Sequence, residues 1–124
     1  MALVELGMEL EEAIEFCLGL GPVEETTPFG PEALVYKVGG KMFALAGAKN
    51  VVGSMNLKGE PERNVELRDE WEAVTPGYHM NKKHWNTIVF DGSLPTSLVK
   101  GMIEESYRLV VAGLPKKVRE GLEN

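Results

Sequence analysis

The sequence has almost no cysteine and no long hydrophobic run. Cys17 is the only cysteine among 124 residues, which excludes an internal disulfide and any zinc or iron–sulfur site built from several cysteines. No apolar run approaches the roughly 18 residues that a membrane-spanning helix needs. The first twenty residues contain no lysine or arginine, so the positively charged start of a signal peptide is missing. We therefore expect a soluble, cytoplasmic protein that has no membrane partner.

Basic charge is also scarce, and it is unevenly distributed. The net charge is −6, from 13 basic and 19 acidic residues. Residues 1–36 hold eight of the acids and none of the bases, so the rest of the chain holds 11 acids and 13 bases. Because neutralisation of phosphates dominates nucleic-acid affinity, a nucleic-acid binder of this composition needs a local basic patch. The acidic N-terminal part is also explained as a solvated helix face.

Length and hydrophobic periodicity predict one α+β domain over residues 1–124. We predict helices at residues 8–18, 61–71, 95–112 and 115–122, strands at residues 23–27, 34–38, 41–45, 54–58 and 85–90, and a turn at residues 75–77. Most of the strands follow one another directly, which favours an antiparallel sheet. Helices on one face of that sheet would complete a two-layer sandwich.

The clearest local signal is a β-hairpin. Gly39 and Gly40 separate two β-prone segments, and a two-residue turn needs positive φ angles at both positions. This turn places Lys41 at the hairpin tip and Tyr36 opposite Phe43. One face of the hairpin then belongs to the core, and it carries Leu34, Tyr36, Val38, Phe43 and Leu45.

The predicted helices are amphipathic, and they carry few chemical signals. Cys17 lies within the apolar stripe of the first helix, together with Leu18, which favours a small buried hydrophobe over a reactive thiol. In helix 95–112, Glu104 and Arg108 have the spacing of an i, i+4 ion pair.

Several segments together resemble the MmcQ/YjbR family of small bacterial proteins. The resemblance covers residues 20–119 and is most specific in residues 74–86, VTPGYHMNKKHWN. Weaker matches are residues 27–30 (TPFG), 35–44 (VYKVGGKMFA), 56–58 (NLK) and 114–117 (LPKK). The resemblance implies a fold like that of CyaY, the bacterial frataxin, with a double-wing arrangement. It also implies DNA binding, with double-stranded DNA as the partner, and it supplies no catalytic residues.

Residues 78–86 concentrate aromatic, amide, imidazole and basic groups. Lys82 and Lys83 are predicted to meet phosphates, and Tyr78 and Trp85 have the rings to stack on bases. The remaining polar candidates in this segment are Asn81, Asn86 and His84, of which the asparagines could read a base edge. A structural interpretation stays open, in which Trp85 belongs to the core and the asparagines close turns. His79 and His84 are five positions apart, a spacing that predicts no metal site.

A second basic segment begins at Pro115. Lys116, Lys117 and Arg119 would lie at the start of the short last helix, and we predict that they join Lys82 and Lys83 in one phosphate-binding surface. Lys41 at the hairpin tip is the remaining candidate for DNA contact. The alternative is that this segment is a frayed, solvated tail.

No motif for enzymatic chemistry is found. The sequence has no phosphate-cradling glycine loop and no serine elbow, so neither an enzyme nor a cofactor is predicted. Two other functions remain as alternatives to DNA binding. One is a frataxin-like acidic surface for metal ions, formed by Glu11, Glu12 and Glu15, and the other is a protein-interaction adaptor that uses the sheet.

Overall fold

A six-stranded antiparallel sheet is the central element of the structure. The computed structural model describes residues 7–47, 53–77 and 80–122. The strands are β1 (Val23–Thr26), β2 (Ala33–Val38), β3 (Lys41–Gly47), β4 (Ser54–Lys58), β5 (Val74–Pro76) and β6 (Trp85–Val89). They lie side by side in the order β1-β2-β3-β4-β6-β5, and every neighbouring pair is antiparallel.

Four helices accompany the sheet, and they are α1 (Leu10–Leu18), α2 (Pro61–Glu70), α3 (Thr96–Ala112) and α4 (Lys116–Leu122). α1 and α3 contact each other and β3, so they lie on the same face, while α2 packs at the β5 edge. The predicted α+β two-layer sandwich is therefore confirmed. Within the described ranges, no helix combines the length and hydropathy that a bilayer crossing requires.

The core lies between the sheet and the α1–α3 layer. Alternation along β4 points Met55 and Leu57 into it, as the sequence predicts, and Ile88 of β6 lies beside Met55. Ser106 of α3 connects the two layers through the backbone. Its Oγ donates to the Phe43 carbonyl at 2.5 Å and accepts from the Lys58 N–H at 2.9 Å. This hydroxyl satisfies two backbone groups that would otherwise be unpaired in the interior.

The β2–β3 hairpin contains a bulge that the sequence analysis missed. Gly39 and Gly40 form the predicted turn, with φ angles of +57° and +81°. Near the turn, Lys37 pairs with Met42, but the next residue away from the turn, Tyr36, pairs with Ala44. Phe43 is therefore left without a partner on β2 and forms the bulge. The predicted opposition of Tyr36 and Phe43 was therefore wrong.

The bulge changes which side chains of β3 reach the core. One additional residue reverses the alternation of the positions that follow it. Ala44 and Ala46 consequently face the helices and are fully buried, whereas Leu45 lies on the opposite face and is only partly buried. The prediction that Leu45 belongs to the core face was wrong for this reason.

Three other local predictions also fail. Residues 75–77 were expected to form a turn, but Val74–Pro76 is strand β5, paired with β6. Leu18 is 43% exposed, because it is the last residue of α1 and extends beyond the sheet. Arg108 pairs with Glu105 at 2.6 Å, one residue closer than the predicted partner Glu104.

Cys17 is fully buried in the core, which confirms the prediction of a buried hydrophobe. Burial raises the pKa of its thiol from 9.0 to about 12. Because the thiolate is the reactive form, this cysteine is inert at neutral pH.

Candidate nucleic-acid interface

The strand register places Lys41 and the predicted 81–84 segment at one end of the sheet. Lys58 ends β4 and pairs with Trp85, which begins β6. Lys41 begins β3, the other neighbour of β4, and its antiparallel direction brings it to the same end. Neighbouring strands lie about 4.8 Å apart, so β3 and β6 are separated by roughly 10 Å. Lys82 and Lys83 immediately precede β6 and are exposed.

Asn81 organises the turn that carries Lys82 and Lys83. Its carbonyl accepts from the N–H groups of His84 at 3.2 Å and Trp85 at 2.9 Å. Its side-chain Oδ1 accepts from the Lys83 N–H at 3.0 Å. The structure therefore favours the turn-closing interpretation of Asn81. His84 is half-buried, and its carbonyl accepts from the Gly59 N–H at 2.9 Å.

Arg68 of α2 stabilises this turn through hydrogen bonds from its guanidinium group. Its Nε donates to Asn86 Oδ1 at 2.6 Å, and its terminal nitrogen donates to the carbonyls of Lys82 and, at 3.4 Å, Trp85. The planar guanidinium spans these acceptors because it carries several donors in a fixed geometry. The sequence analysis did not identify Arg68, since nothing distinguishes it from the other charged residues of α2.

A second brace comes from Asn64, which is 2% exposed. Its Nδ2 donates to the carbonyls of Gly59 at 3.1 Å and Lys83 at 3.2 Å. Asn86 is 1% exposed and donates to Asn64 Oδ1 at 3.3 Å. Asn86 is therefore part of the support of the turn, which favours the structural interpretation over base reading. The turn is fixed through its backbone, which leaves the Lys82 and Lys83 side chains exposed to solvent.

The second basic group lies on α4 and beside it. A groove of about 610 Å³ between α3 and α4 is lined by Arg108, Lys116 and Arg119, and Tyr107 contributes an aromatic wall. Lys117 is exposed next to this groove. Lys116 has a carboxylate partner, Glu120, at 3.9 Å.

α4 is packed against the hairpin, contrary to the alternative of a frayed tail. A Cβ added to Gly39 would lie 2.6 Å from Leu114 Cδ1 and 2.9 Å from Val118 Cγ1, so these side chains cover the hairpin turn directly. This contact brings the α4 segment next to Lys41. Lys41 consequently lies between the α4 cations and the turn before β6 along this end of the sheet.

Most of these cations lack a carboxylate partner. Among residues 7–47, 53–77 and 80–122, no carboxylate lies within ion-pairing distance of Lys41, Lys82, Lys83, Lys117 or Arg119. Together with Lys116, these residues are called the basic end below. Apart from Lys116, which has Glu120 as a partner, these residues have charges that face solvent and are available to an anionic partner.

The acidic residues of α1 lie at the other end of the sheet. Leu10 packs over Gly53, which precedes β4, and Gly7 lies against Gly92, which follows β6. Gly53 and Gly92 both lie at the end of the sheet opposite the basic end. The first turn of α1 exposes Glu11 and Glu12 there. These two acids therefore lie away from the basic end, although exposed acids are also present there, namely Glu24 beside Lys37, Glu60 after β4 and Glu120 on α4.

The structure provides no support for a metal centre. Within the described part of the chain, no group of three or more histidine, cysteine, aspartate or glutamate side chains could hold a metal ion. Glu12 accepts from the Glu9 N–H at 3.2 Å, so its carboxylate serves the start of α1. Tyr78 and His79, which were candidates for base stacking and for a histidine pair, lie outside the described residues.

Comparison with known protein families gives a match to the family model YjbR over residues 18–109. YbdF of Escherichia coli O157:H7 is 39% identical over 107 residues, which cover 86% of this chain and 88% of YbdF. YjbR of Escherichia coli K12 is 31% identical over 113 residues, which cover 91% of this chain and 96% of YjbR. Both relatives are uncharacterized proteins.

Solved structures agree with this match. The crystal structure of Deinococcus radiodurans protein DR2400, a DUF419 domain, superposes with a TM-score of 0.86 at 35% identity and covers 98% of this chain and 92% of that one. A crystal structure of a Pseudomonas syringae protein superposes with a TM-score of 0.72 at 27% identity, covering 82% of this chain and 98% of that one.

Proposed function

The chain belongs to the YjbR family, and we propose that it binds double-stranded DNA through the basic end. The observation that supports this proposal is the braced turn at residues 81–84. Arg68 and Asn64 hold its backbone, so Lys82 and Lys83 project without a carboxylate partner. Because the backbone of the turn is already ordered, binding to phosphates needs to order only the two lysine side chains.

The proposed contact is weak and is directed mainly at the phosphate backbone. Five cations without partners predict a log–log salt slope of about −4 to −5 at most. Asn81 and His84 belong to the same turn and remain predicted contacts. The acids of α1 repel the duplex, so we expect the basic end to approach first. The proposal extends to a non-enzymatic role in the cytoplasm and to the double-wing arrangement that the family resemblance implies.

Fluorescence anisotropy of a labelled duplex, titrated at several salt concentrations, tests this proposal. We expect Lys82→Gln/Lys83→Gln to weaken binding and to reduce the magnitude of the salt slope by about 1.8, which is two phosphate contacts. Lys116→Glu/Lys117→Glu should also lower the affinity, because it reverses the charge of the α4 group. The matched control is Lys100→Gln, since Lys100 lies over the Phe16 ring, 5.5 Å from its centre, outside the basic end.

The proposal is wrong if the wild-type protein leaves the anisotropy of the duplex unchanged at low salt. It is also wrong if Lys100→Gln weakens binding as much as the variants of the basic end, because the effect would then follow net charge alone.

A further inference from the structure

The sheet face opposite α1 and α3 carries one continuous row of side chains. The strand pairings place one residue of each strand in this row, in the order Thr26, Val35, Leu45, Asn56, Thr87 and Thr75. Val35 and Leu45 are the apolar members of this row, and the other four are polar. Asn56 is 8% exposed, with Leu45 on one side and Thr87 on the other.

A groove of about 770 Å³ lies along this face. Its apolar lining includes Phe29, Met42, Leu45 and Met80, and Glu32 is the one charged side chain among the described lining residues. The volume falls within the range of roughly 300–1,000 Å³ that is typical of small-molecule sites. Phe29 is 74% exposed at the rim, where an aromatic ring can stack on a flat molecule.

Asn56 supplies an unused hydrogen-bond donor to the groove. Its Oδ1 accepts from Thr87 Oγ1 at 2.5 Å. Its Nδ2 donates to none of the described residues. This amide nitrogen is not cut off from solvent, so either water or an acceptor in the groove can take its hydrogen bond.

We propose that this groove binds an uncharged, flat, apolar small molecule whose carbonyl oxygen accepts a hydrogen bond from Asn56 Nδ2. An apolar lining disfavours a charged ligand, since such a ligand would lose its hydration without a partner. Glu32 additionally repels anions at the rim. This site is independent of the proposed DNA contact, which uses the basic end.

Gly47 offers a way to fill the groove without disturbing the fold. It lies on β3 and lines the groove, and among the described residues a Cβ added there would meet only Ser54 Oγ, at 3.9 Å. Gly47→Val therefore projects two methyl groups into the groove, and valine is better suited to a strand than glycine. The control is Gly101→Ala, since a Cβ at Gly101 has no neighbour within 4 Å in the described part of the chain and Gly101 lies on α3, away from this face.

The test uses Nile red, an uncharged flat dye with a carbonyl group, and follows its fluorescence as the protein is titrated. We expect saturable binding at one site by the wild-type protein and by Gly101→Ala, and loss of binding by Gly47→Val. Asn56→Asp replaces the donor with an acceptor of the same shape and should weaken binding about tenfold or more. Circular dichroism establishes that each variant is folded.

The proposal is overturned if the wild-type protein gives no saturable signal, or if folded Gly47→Val binds the dye as the wild-type protein does. A second measurement does not depend on the variants. The side-chain NH₂ signals of Asn56 in an NMR spectrum should shift when the dye is added, and unchanged signals at saturating dye also overturn it.

Discussion

Replacement of Arg68 provides the most direct test of how the turn at residues 81–84 is supported. Arg68→Met keeps most of the apolar stem and removes the guanidinium. Asn86 Oδ1 then loses its 2.6 Å donor at a position that is 1% exposed, where water cannot replace it. Leaving such an acceptor unpaired costs about 1–3 kcal/mol.

The other two bonds of Arg68 contribute less. The carbonyls of Lys82 and Trp85 lie in the turn, where water substitutes for the lost donor. We assign them roughly 0.5 kcal/mol together. The expected loss for Arg68→Met is therefore about 1.5–3.5 kcal/mol in the free energy of unfolding, measured by urea denaturation at neutral pH.

Arg68→Lys separates charge from geometry. A lysine keeps the positive charge, but its single ammonium cannot reach three separate acceptors as a planar guanidinium does. We expect it to lose about 1–2 kcal/mol, so it falls between the wild type and Arg68→Met. If Arg68→Lys equals the wild type, or if Arg68→Met loses less than about 0.5 kcal/mol, the guanidinium does not brace the turn in the way we describe.

Two further predictions concern the core. Ser106→Ala removes the hydroxyl that bridges the Phe43 carbonyl and the Lys58 N–H, and should lower the free energy of unfolding by about 2 kcal/mol in urea; a change within 0.5 kcal/mol contradicts the bridging role. At alkaline pH, the raised pKa of Cys17 means that its contribution to stability is complete below pH 9 and falls by about 1.4 kcal/mol per pH unit toward pH 12. Tyr36, whose pKa is also raised by burial and by its bond to Glu25, acts in the same direction. Cys17→Ala should therefore make the alkaline loss of stability less steep, and an unchanged slope disproves this assignment.

The order of the helices and strands followed from local patterns, but two features of the sheet did not. The bulge at Phe43 is hidden because Phe43 and Ala44 are both apolar, so the alternation of side chains reads equally well in either register. β5 was missed because Thr75-Pro76-Gly77 has proline and glycine in the order that is typical of a type II turn. Here the Gly77 N–H donates to the Trp85 carbonyl at 2.8 Å. Because successive backbone nitrogens of a strand point in opposite directions, the nitrogen of Pro76 points away from β6, where no hydrogen bond is needed.

Only the part of the candidate interface that is formed by residues adjacent in the sequence could be predicted. The density of basic groups at Lys82 and Lys83 is visible in the sequence. The hydrogen bonds that support this turn from α2 join residues 14 to 22 positions apart, and no periodic pattern marks such pairs. For this reason the sequence left both interpretations of Asn86 open, because an asparagine close to two lysines resembles a recognition residue until its partners are known.

The two lateral edges of the sheet have a consequence for self-association. β1 exposes Glu24 and Glu25, so a second copy that aligned along this edge would bring carboxylates together. β5 is three residues long, and Pro76 presents a nitrogen without a hydrogen to any incoming strand. Both edge strands therefore disfavour pairing with a strand of a second molecule. We expect this to reduce aggregation through edge-to-edge sheet pairing at high protein concentration.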